Sequence, residues 1–237
     1  MSLNRREGII AASALILGAG GMAFGLTAFG GGQMNDRIVC DAIMAHPEML
    51  PEAMAALQQR EMTKLVNQNR ARIETPFGGA WEGNPKGDVT LVQFFDYACG
   101  YCRASLPDID RLLATDKDLK IVYREMPILG EPSNAAARAS LSVAQQRANY
   151  AAFHRALYAA GRPTADTIAA AAVTAGMTGK RGDMTAVDQE VASNLDLQRQ
   201  LQLTGTPSWI VGDTVLNGAV GYDALVAAIK AARAKAG

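Results

Sequence analysis

The spacing of apolar positions changes along the chain, and the changes divide it. The first run is continuous: Gly8 to Gln33 carries no charge, its apolar part runs from Ile9 to Phe29, and Arg5 and Arg6 precede it. A basic start followed by an apolar run is the pattern of a secretory signal. The run is also long enough to span a bilayer. Ala23-Phe24-Gly25 and Ala28-Phe29-Gly30 are only approximate cleavage sites. Residues 1–33 are therefore predicted to be a signal peptide or a membrane anchor held by residues 9–29. A buried core helix fits less well, because the segment is terminal, rich in glycine and flanked by arginines on one side only. With the positive charges retained inside, everything after about residue 34 is expected outside the cytoplasm.

A second zone, residues 36–74, is helical in pattern. Asp36 to Ala45 reads as a short helix ended by His46-Pro47, and Pro51-Glu52 starts a longer one, proline being tolerated in a first turn. Leu50, Met54 and Leu57 fall four and three apart, and Met62, Leu65 and Val66 continue the stripe imperfectly. The remaining faces carry Gln59, Arg60, Lys64, Asn67 and Arg70. A narrow apolar seam suits helix pairing between chains, so residues 34–75 are predicted to be an oligomerising stalk, with docking onto the chain's own domain as the alternative. Residues 76–87 are turn-rich and read as a linker.

The third zone alternates between two periods. Val89–Phe95 and Leu119–Met126 read as strands, the second closed by Pro127, with a helix from about Cys102 to Ala114 between them. Ser133 to about Asp196 is rich in alanine and nearly free of strand signals, with helix breaks near Gly161-Arg162-Pro163, Gly176 and Gly179-Lys180-Arg181-Gly182. Ser208–Val211 and Val215–Val220 flank the turn Gly212-Asp213, and a helix from Tyr222 to about Ala234 closes the chain. The pattern predicts an α/β sandwich with a helical insertion at about residues 131–197.

The chain has 237 residues, 49% of them hydrophobic, with 23 basic and 23 acidic side chains. This balance lacks the basic excess of a nucleic-acid binder. There are two histidines and three cysteines. Cys99-Gly100-Tyr101-Cys102 sits between a strand and a helix, which places the first thiol at a helix N-terminus, where free N–H groups and the helix dipole favour the thiolate. In such sites thiol pKa values run from about 3.5 to 7. Cys99 is the expected nucleophile. Cys102, one turn further in and more buried, is expected to resolve the mixed disulfide. Gly100 and Tyr101 are expected to tune the pair through the N–H groups and dipoles that reach the Cys99 sulfur. A structural zinc needs four ligands; the other Cys and His residues, Cys40, His46 and His154, have no paired spacing. A purely structural bridge over so short a loop would constrain little chain entropy. Redox use is the preferred reading, without metal or cofactor. Thr206-Pro207 enters a strand and is either a candidate cis peptide or an ordinary trans proline at a strand start. Since proline lacks an N–H, the Thr206 backbone is a candidate surface for a substrate strand. Cys40 is expected to be a small buried hydrophobe.

Four segments in order carry a resemblance: Gly83-Asn84-Pro85; Phe94-Phe95-Asp96-Tyr97-Ala98-Cys99-Gly100-Tyr101-Cys102; Tyr123-Arg124-Glu125-Met126-Pro127-Ile128-Leu129-Gly130; and Thr204-Gly205-Thr206-Pro207. From about Phe77 to the C-terminus the chain resembles the DsbA family of extracytoplasmic thiol-disulfide oxidoreductases. The resemblance implies a thioredoxin fold with an inserted helical domain over residues 76–237. It also implies Cys99 as attacking thiol, Cys102 as resolving thiol, Pro207 in cis, and Thr206 as a substrate-facing backbone. The oxidase DsbA has Pro-His between its cysteines and Val before the proline; Gly100-Tyr101 and Thr206-Pro207 are more similar to the disulfide isomerase DsbC. The histidine that supports a strongly oxidising poise is thus absent, and Gln93 stands where many members have a buried, titratable Glu. Pro47-Glu48-Met49-Leu50-Pro51-Glu52-Ala53-Met54 resembles the stalk of ScsC-type proteins. The resulting expectation is a periplasmic or otherwise extracytoplasmic disulfide isomerase or reductase. It would act on thiol-containing client proteins with a membrane redox partner and form a homo-oligomer through residues 36–75. A dithiol oxidase and a non-catalytic chaperone-like module are the alternatives.

Overall fold

The computed structural model describes residues 31–146, 148–177 and 182–236. The expected signal or anchor at residues 9–29 lies outside them. Among the described residues no helix is long and apolar enough to cross a membrane.

The chain divides into two units, Met1–Gln58 and Gln59–Gly237. Helix α1 (Gly31–Ala45) lies in the first, and α2 (Met49–Glu74) runs across the boundary. In the first unit no described side chain is buried, and Val39, Met44, Leu50, Met54 and Leu57 are exposed. Cys40 is exposed as well, which corrects the expectation of a buried hydrophobe: α1 has no apolar partner within its unit to cover it. The residues expected to form a stalk, 34–75, are divided by the unit boundary. From Gln59 onward α2 packs on the second unit through Val66, Asn69 and Ile73. Arg70 pairs with Asp213 at 2.5 Å and Arg72 with Asp196 at 3.1 Å.

The second unit is built on a five-stranded sheet in the order β1-β3-β2-β4-β5. The strands are β1 (Trp81–Gly83), β2 (Val89–Phe95), β3 (Leu119–Glu125), β4 (Ser208–Val211) and β5 (Thr214–Asn217). β2 and β3 are parallel, with Gln93 opposite Tyr123 and Phe95 opposite Glu125; the other pairings are antiparallel. Successive strand residues point to opposite faces, and β2 is buried on both. Leu91 and Phe95 join Ile121, Tyr123 and Trp209 under helices α4, α5, α6 and α9. Val92 and Phe94 join Val122 and Ile210 under α2 and α8. The helices are α3 (Gly100–Ala104), α4 (Leu106–Thr115), α5 (Glu131–Gln145), α6 (Tyr150–Ala159), α7 (Ala165–Thr174), α8 (Met184–Gln200) and α9 (Tyr222–Ala236). Side-chain caps open three of them: Asn149 accepts from the Ala152 N–H, Thr164 and Thr167 form a reciprocal capping box, and Asp183 accepts from Thr185 and Ala186.

Three elements differ from the sequence expectation. Residues 81–83, read as linker, form an edge strand whose partner is supplied by β3. Glu82 anchors it by accepting from the Tyr123 hydroxyl at 2.7 Å and from Arg155 at 2.8 Å. Gly83 ends it at φ +88°, where a Cβ would lie 2.4 Å from the Leu119 carbonyl oxygen. The helix expected from Cys102 to Ala114 starts at Gly100 and is interrupted at Ser105, because Pro107 has no N–H to continue the ladder. The helical block is broken between Gln145 and Tyr150 as well as near Gly161 and Gly176; the expected break at residues 179–181 lies outside the described residues.

Candidate active site

β2 and β3 are parallel, so both deliver their C-terminal ends to one edge of the sheet. Cys99 follows β2 there. It is the N-cap of α3, extended at φ −82° and ψ 116°. Its N–H donates to the Asp96 carbonyl at 3.0 Å and its carbonyl accepts from Arg103 at 3.2 Å. Cys99 and Cys102 are both free thiols. Their surroundings are unequal. Cys102 is fully buried, whereas Cys99 retains 8% exposure. Gly100 and Tyr101 between them are exposed, Tyr101 at 72%.

This inequality separates the two pKa values. The Cys102 thiol donates to the Cys99 sulfur and is the largest influence on it. Burial opposes ionisation, while the Thr206 side chain and the backbone N–H groups of Cys102 and Tyr101 favour it. Cys99 is lowered from 9.0 to about 5, the range in which a thiol is a thiolate at neutral pH. Cys102 is pushed far above its ordinary value by burial, with its bond to Cys99 adding in the same direction.

The Thr206–Pro207 peptide is cis. It enters β4 beside Cys99, and Cys99 Sγ lies 3.3 Å from the Thr206 carbonyl oxygen. Thr206 is half-buried and Pro207 buried. Cys99, Cys102 and Thr206 are thus brought together, although more than a hundred residues separate Thr206 from the thiols.

A model of the DSBA-like thioredoxin domain matches residues 90–230. The chain belongs to this family. A model of the copper resistance protein ScsC N-terminal domain matches residues 36–62. Among solved structures, Proteus mirabilis ScsC in a transitional conformation is 28% identical, with a TM-score of 0.67 over 88% of this chain and 99% of that one. A thioredoxin-like oxidoreductase from Silicibacter pomeroyi is 36% identical, with a TM-score of 0.63 over 70% and 98%. A periplasmic thioredoxin-like protein from Salmonella enterica serovar Typhimurium is 30% identical, with a TM-score of 0.65 over 71% and 97%. The search of curated proteins returned no match. The protein is a thiol-disulfide oxidoreductase of the DsbA and ScsC type with a DsbA-like thioredoxin fold.

Around the thiols of this DsbA-like domain are residues to which the sequence reading gave no role. Asp96 is 2% exposed. Its carboxylate accepts from the Ala98 N–H at 2.8 Å, Ile128 N–H at 2.9 Å and Leu129 N–H at 3.0 Å, while Tyr158 donates to its carbonyl at 3.0 Å. It therefore ties the segment before Cys99 to the loop after β3. Glu125 is 1% exposed and accepts from Ser140 at 2.7 Å and Tyr150 at 2.8 Å. Gln93 is equally buried, and its Oε1 has no partner. A charged residue directly after the buried β2 (Asp96), and another at the buried C-terminal end of β3 (Glu125), were the available signals.

Proposed function

We propose that this protein is an extracytoplasmic disulfide isomerase or reductase acting on misfolded client proteins. The observation that carries the reading is the inequality of the thiols: a thiolate that keeps a little exposure beside the Thr206 carbonyl, and a protonated, fully buried thiol behind it. Cys99 attacks a client disulfide and one client sulfur leaves as thiolate. The Thr206 backbone pairs with the client strand beside the mixed disulfide, with Pro207 holding it in place, and Gly100 and Tyr101 set the poise. A second client thiol can displace Cys99, which completes isomerisation with no net redox change. Alternatively, Cys102 attacks Cys99 and releases a reduced client, oxidising the pair; a membrane redox partner then supplies two electrons to restore the dithiol.

Isomerisation is favoured over oxidation by the first unit. Its exposed Leu50, Met54 and Leu57 lie within the match to the ScsC N-terminal domain, and burying them against further copies would group several active sites around one client. The periplasm is the compartment in which such chemistry persists, and the similar Salmonella protein is periplasmic by description. The low pKa of Cys99 also stabilises a reduced oxidase, so the second reading is a dithiol oxidase.

Refolding of scrambled ribonuclease separates them. The chain from residue 34 onward is expected to accelerate recovery of activity in a reducing buffer. A chain starting at Gln59 should be monomeric, reduce insulin and lose most of the isomerisation. No gain over Cys99→Ala would overturn isomerase activity, and a truncation that remains oligomeric would overturn the role of the first unit.

A further inference from the structure

The parallel ladder between β2 and β3 ends at the Met126 N–H, which donates to the Phe95 carbonyl at 2.7 Å. Pro127 has no N–H to extend it. The next two donors, the N–H groups of Ile128 and Leu129, are taken up by the Asp96 carboxylate, which also holds the Ala98 N–H next to Cys99. The backbone donors of this loop are thus spent, while its side chains stand open: Ile128 is 42% exposed and Leu129 52%. Anchoring alone would be served as well by polar residues. Among the described residues of the second unit, the large apolar side chains left exposed are Tyr101, Ile128, Leu129 and Val173. The first three sit at the edge of the sheet that carries Cys99. β3 and β4 flank β2, so Ile128 and Leu129, after β3, and Thr206, before β4, lie on opposite sides of the nucleophile.

Beyond Leu129 the chain turns at Gly130 into α5, and Glu131 stands at the mouth of a groove of about 490 Å³ in the helical insertion. α5 lines it from Glu131 to Ser142. Ile168 and Ala172 on α7 face that helix, together with Met177 and Met184. Ile168, Ala172 and Met177 are half-buried against the core, so the floor is apolar and firmly seated. The volume is that of a ligand site, and methionine adapts to partners of varied shape. The charges on the α5 side are Glu131 and Arg138, of opposite sign, and Arg138 is already paired with Asp188 at 3.1 Å. Neither sign of charge is therefore favoured in an occupant.

We propose that this groove, entered over Ile128 and Leu129, docks an extended apolar segment of the client whose cysteine has reacted with Cys99. This use of the groove rests on the role assigned above to Cys99, and it names the client class: chains whose apolar residues near a cysteine are uncovered. Continuity with the thiol carries the assignment. A client strand paired with Thr206 on one side of Cys99 leaves it on the other side over Ile128 and Leu129, which the Asp96 carboxylate holds against the residue before Cys99. Glu131, at the mouth of the groove, follows within two residues. The α5 face from Glu131 to Ser142 is about 17 Å long, the reach of about five extended residues. With about three more to pass the loop, the groove reads apolar residues up to about eight from the client cysteine. A folded client keeps such a segment in its own core and cannot present it, so the groove favours misfolded chains. Asp96 acts here as a positioning residue, since it touches no client atom and fixes the entrance relative to the nucleophile.

The test is single-turnover reduction of fluorescent disulfide peptides by the reduced protein in stopped flow. The peptides share the residues around the cysteine; one is extended by about eight residues of leucine and alanine, one by as many of serine and glycine, and each extension is placed before and after the cysteine in turn. The apolar extension is expected to raise the second-order rate constant by about 10- to 30-fold over the polar one, for one of the two placements. The gain should lie in the half-saturating protein concentration and leave the limiting rate unchanged. Ala135→Glu puts a charge into the groove at an exposed position of α5, and Ile128→Ser removes an apolar side chain from its entrance. Each should cut the gain to less than about 3-fold. Asp96→Asn should cut it too, again through the half-saturating concentration. Val173→Ser, at an exposed position of α7 outside the groove, should keep it. Equal rates for the apolar and polar extensions, or a gain undiminished in Ala135→Glu or Ile128→Ser, overturns the docking groove. A wild-type protein that reduces none of the peptides overturns the underlying role of Cys99 instead.

Discussion

The lowered pKa of Cys99 predicts a pH-dependent difference between the reduced and oxidised proteins. In the reduced fold Cys99 titrates at about 5 against a starting value of 9.0. Each unit is worth about 1.4 kcal/mol, so the folded environment stabilises the thiolate by about 5 kcal/mol. Because the folded pKa is depressed, this stability is present above the unfolded pKa and is lost as pH falls through 5. The oxidised protein has no thiolate and no such contribution. Other shifted groups, including Glu125 and His154, are common to both forms and largely cancel in the difference. Cys102, whose pKa is raised, acts oppositely only above about pH 8.5, where the unfolded thiol begins to ionise. The stability of the reduced form minus that of the oxidised form should therefore rise by about 4 kcal/mol between pH 4.5 and 8.5. At pH 7 about half of the thiolate stabilisation is expressed, because the unperturbed thiol is protonated there, and it makes the pair about 60 mV more oxidising than an unperturbed dithiol, at about 30 mV for each 1.4 kcal/mol. Urea unfolding of both forms at half-unit pH intervals, with thiolate absorbance followed in parallel, measures it. Curves that stay parallel across this window would refute the assignment of Cys99 as the stabilised thiolate.

Two substitutions test the supports of the site. Asp96→Ala strands three backbone N–H groups and should cost about 2–4 kcal/mol in urea unfolding. Asp96→Asn keeps one acceptor oxygen but turns an NH2 toward the other donors, and should recover less than half of that loss. Arg124 is buried, bonds the Ile73 carbonyl at 3.2 Å and the carbonyls of Arg72 and Thr75, and pairs with Glu190. Arg124→Met should cost about 3–5 kcal/mol by leaving Glu190 and the end of α2 without their partner. Cys99 titration should barely move, because this cluster packs on the sheet face opposite the thiols.

What could be read from the sequence is what local chemistry determines. The strands Val89–Phe95 and, to within a residue, Leu119–Met126 were legible because they are apolar runs bounded by turn residues, and Cys99, Cys102 and Thr206-Pro207 stood out as candidates because of their residue types; the fold brings them together and makes the Thr206–Pro207 peptide cis. Trp81–Gly83 was not legible: three residues next to a Gly-Asn-Pro turn become a strand only because β3 offers an edge. The break at Ser105 was legible in principle, since Pro107 stands within the expected helix. Cys40 was misjudged because the tendency of free cysteines to be buried does not say whether another surface covers α1. The apolar stripe of the second helix concealed a division within α2, where Leu50, Met54 and Leu57 stay exposed while Val66 and Ile73 are buried.

The buried polar network was the least legible part, for a reason that bears on how the fold works. Glu125 sits on β3, Tyr97 after β2, Ser140 on α5, and Tyr150 and His154 on α6. No spacing links them; only the packing of the helical insertion on the sheet brings them together. A carboxyl buried without partners would be costly and would remain protonated well above neutral pH. The hydroxyls of Ser140 and Tyr150 draw it back to about 7. The insertion thus does more than cover one face of the sheet. By supplying those hydroxyls it holds a titratable group in the interior at the pH where thiol exchange proceeds, and it does so on the face that also buries Cys102.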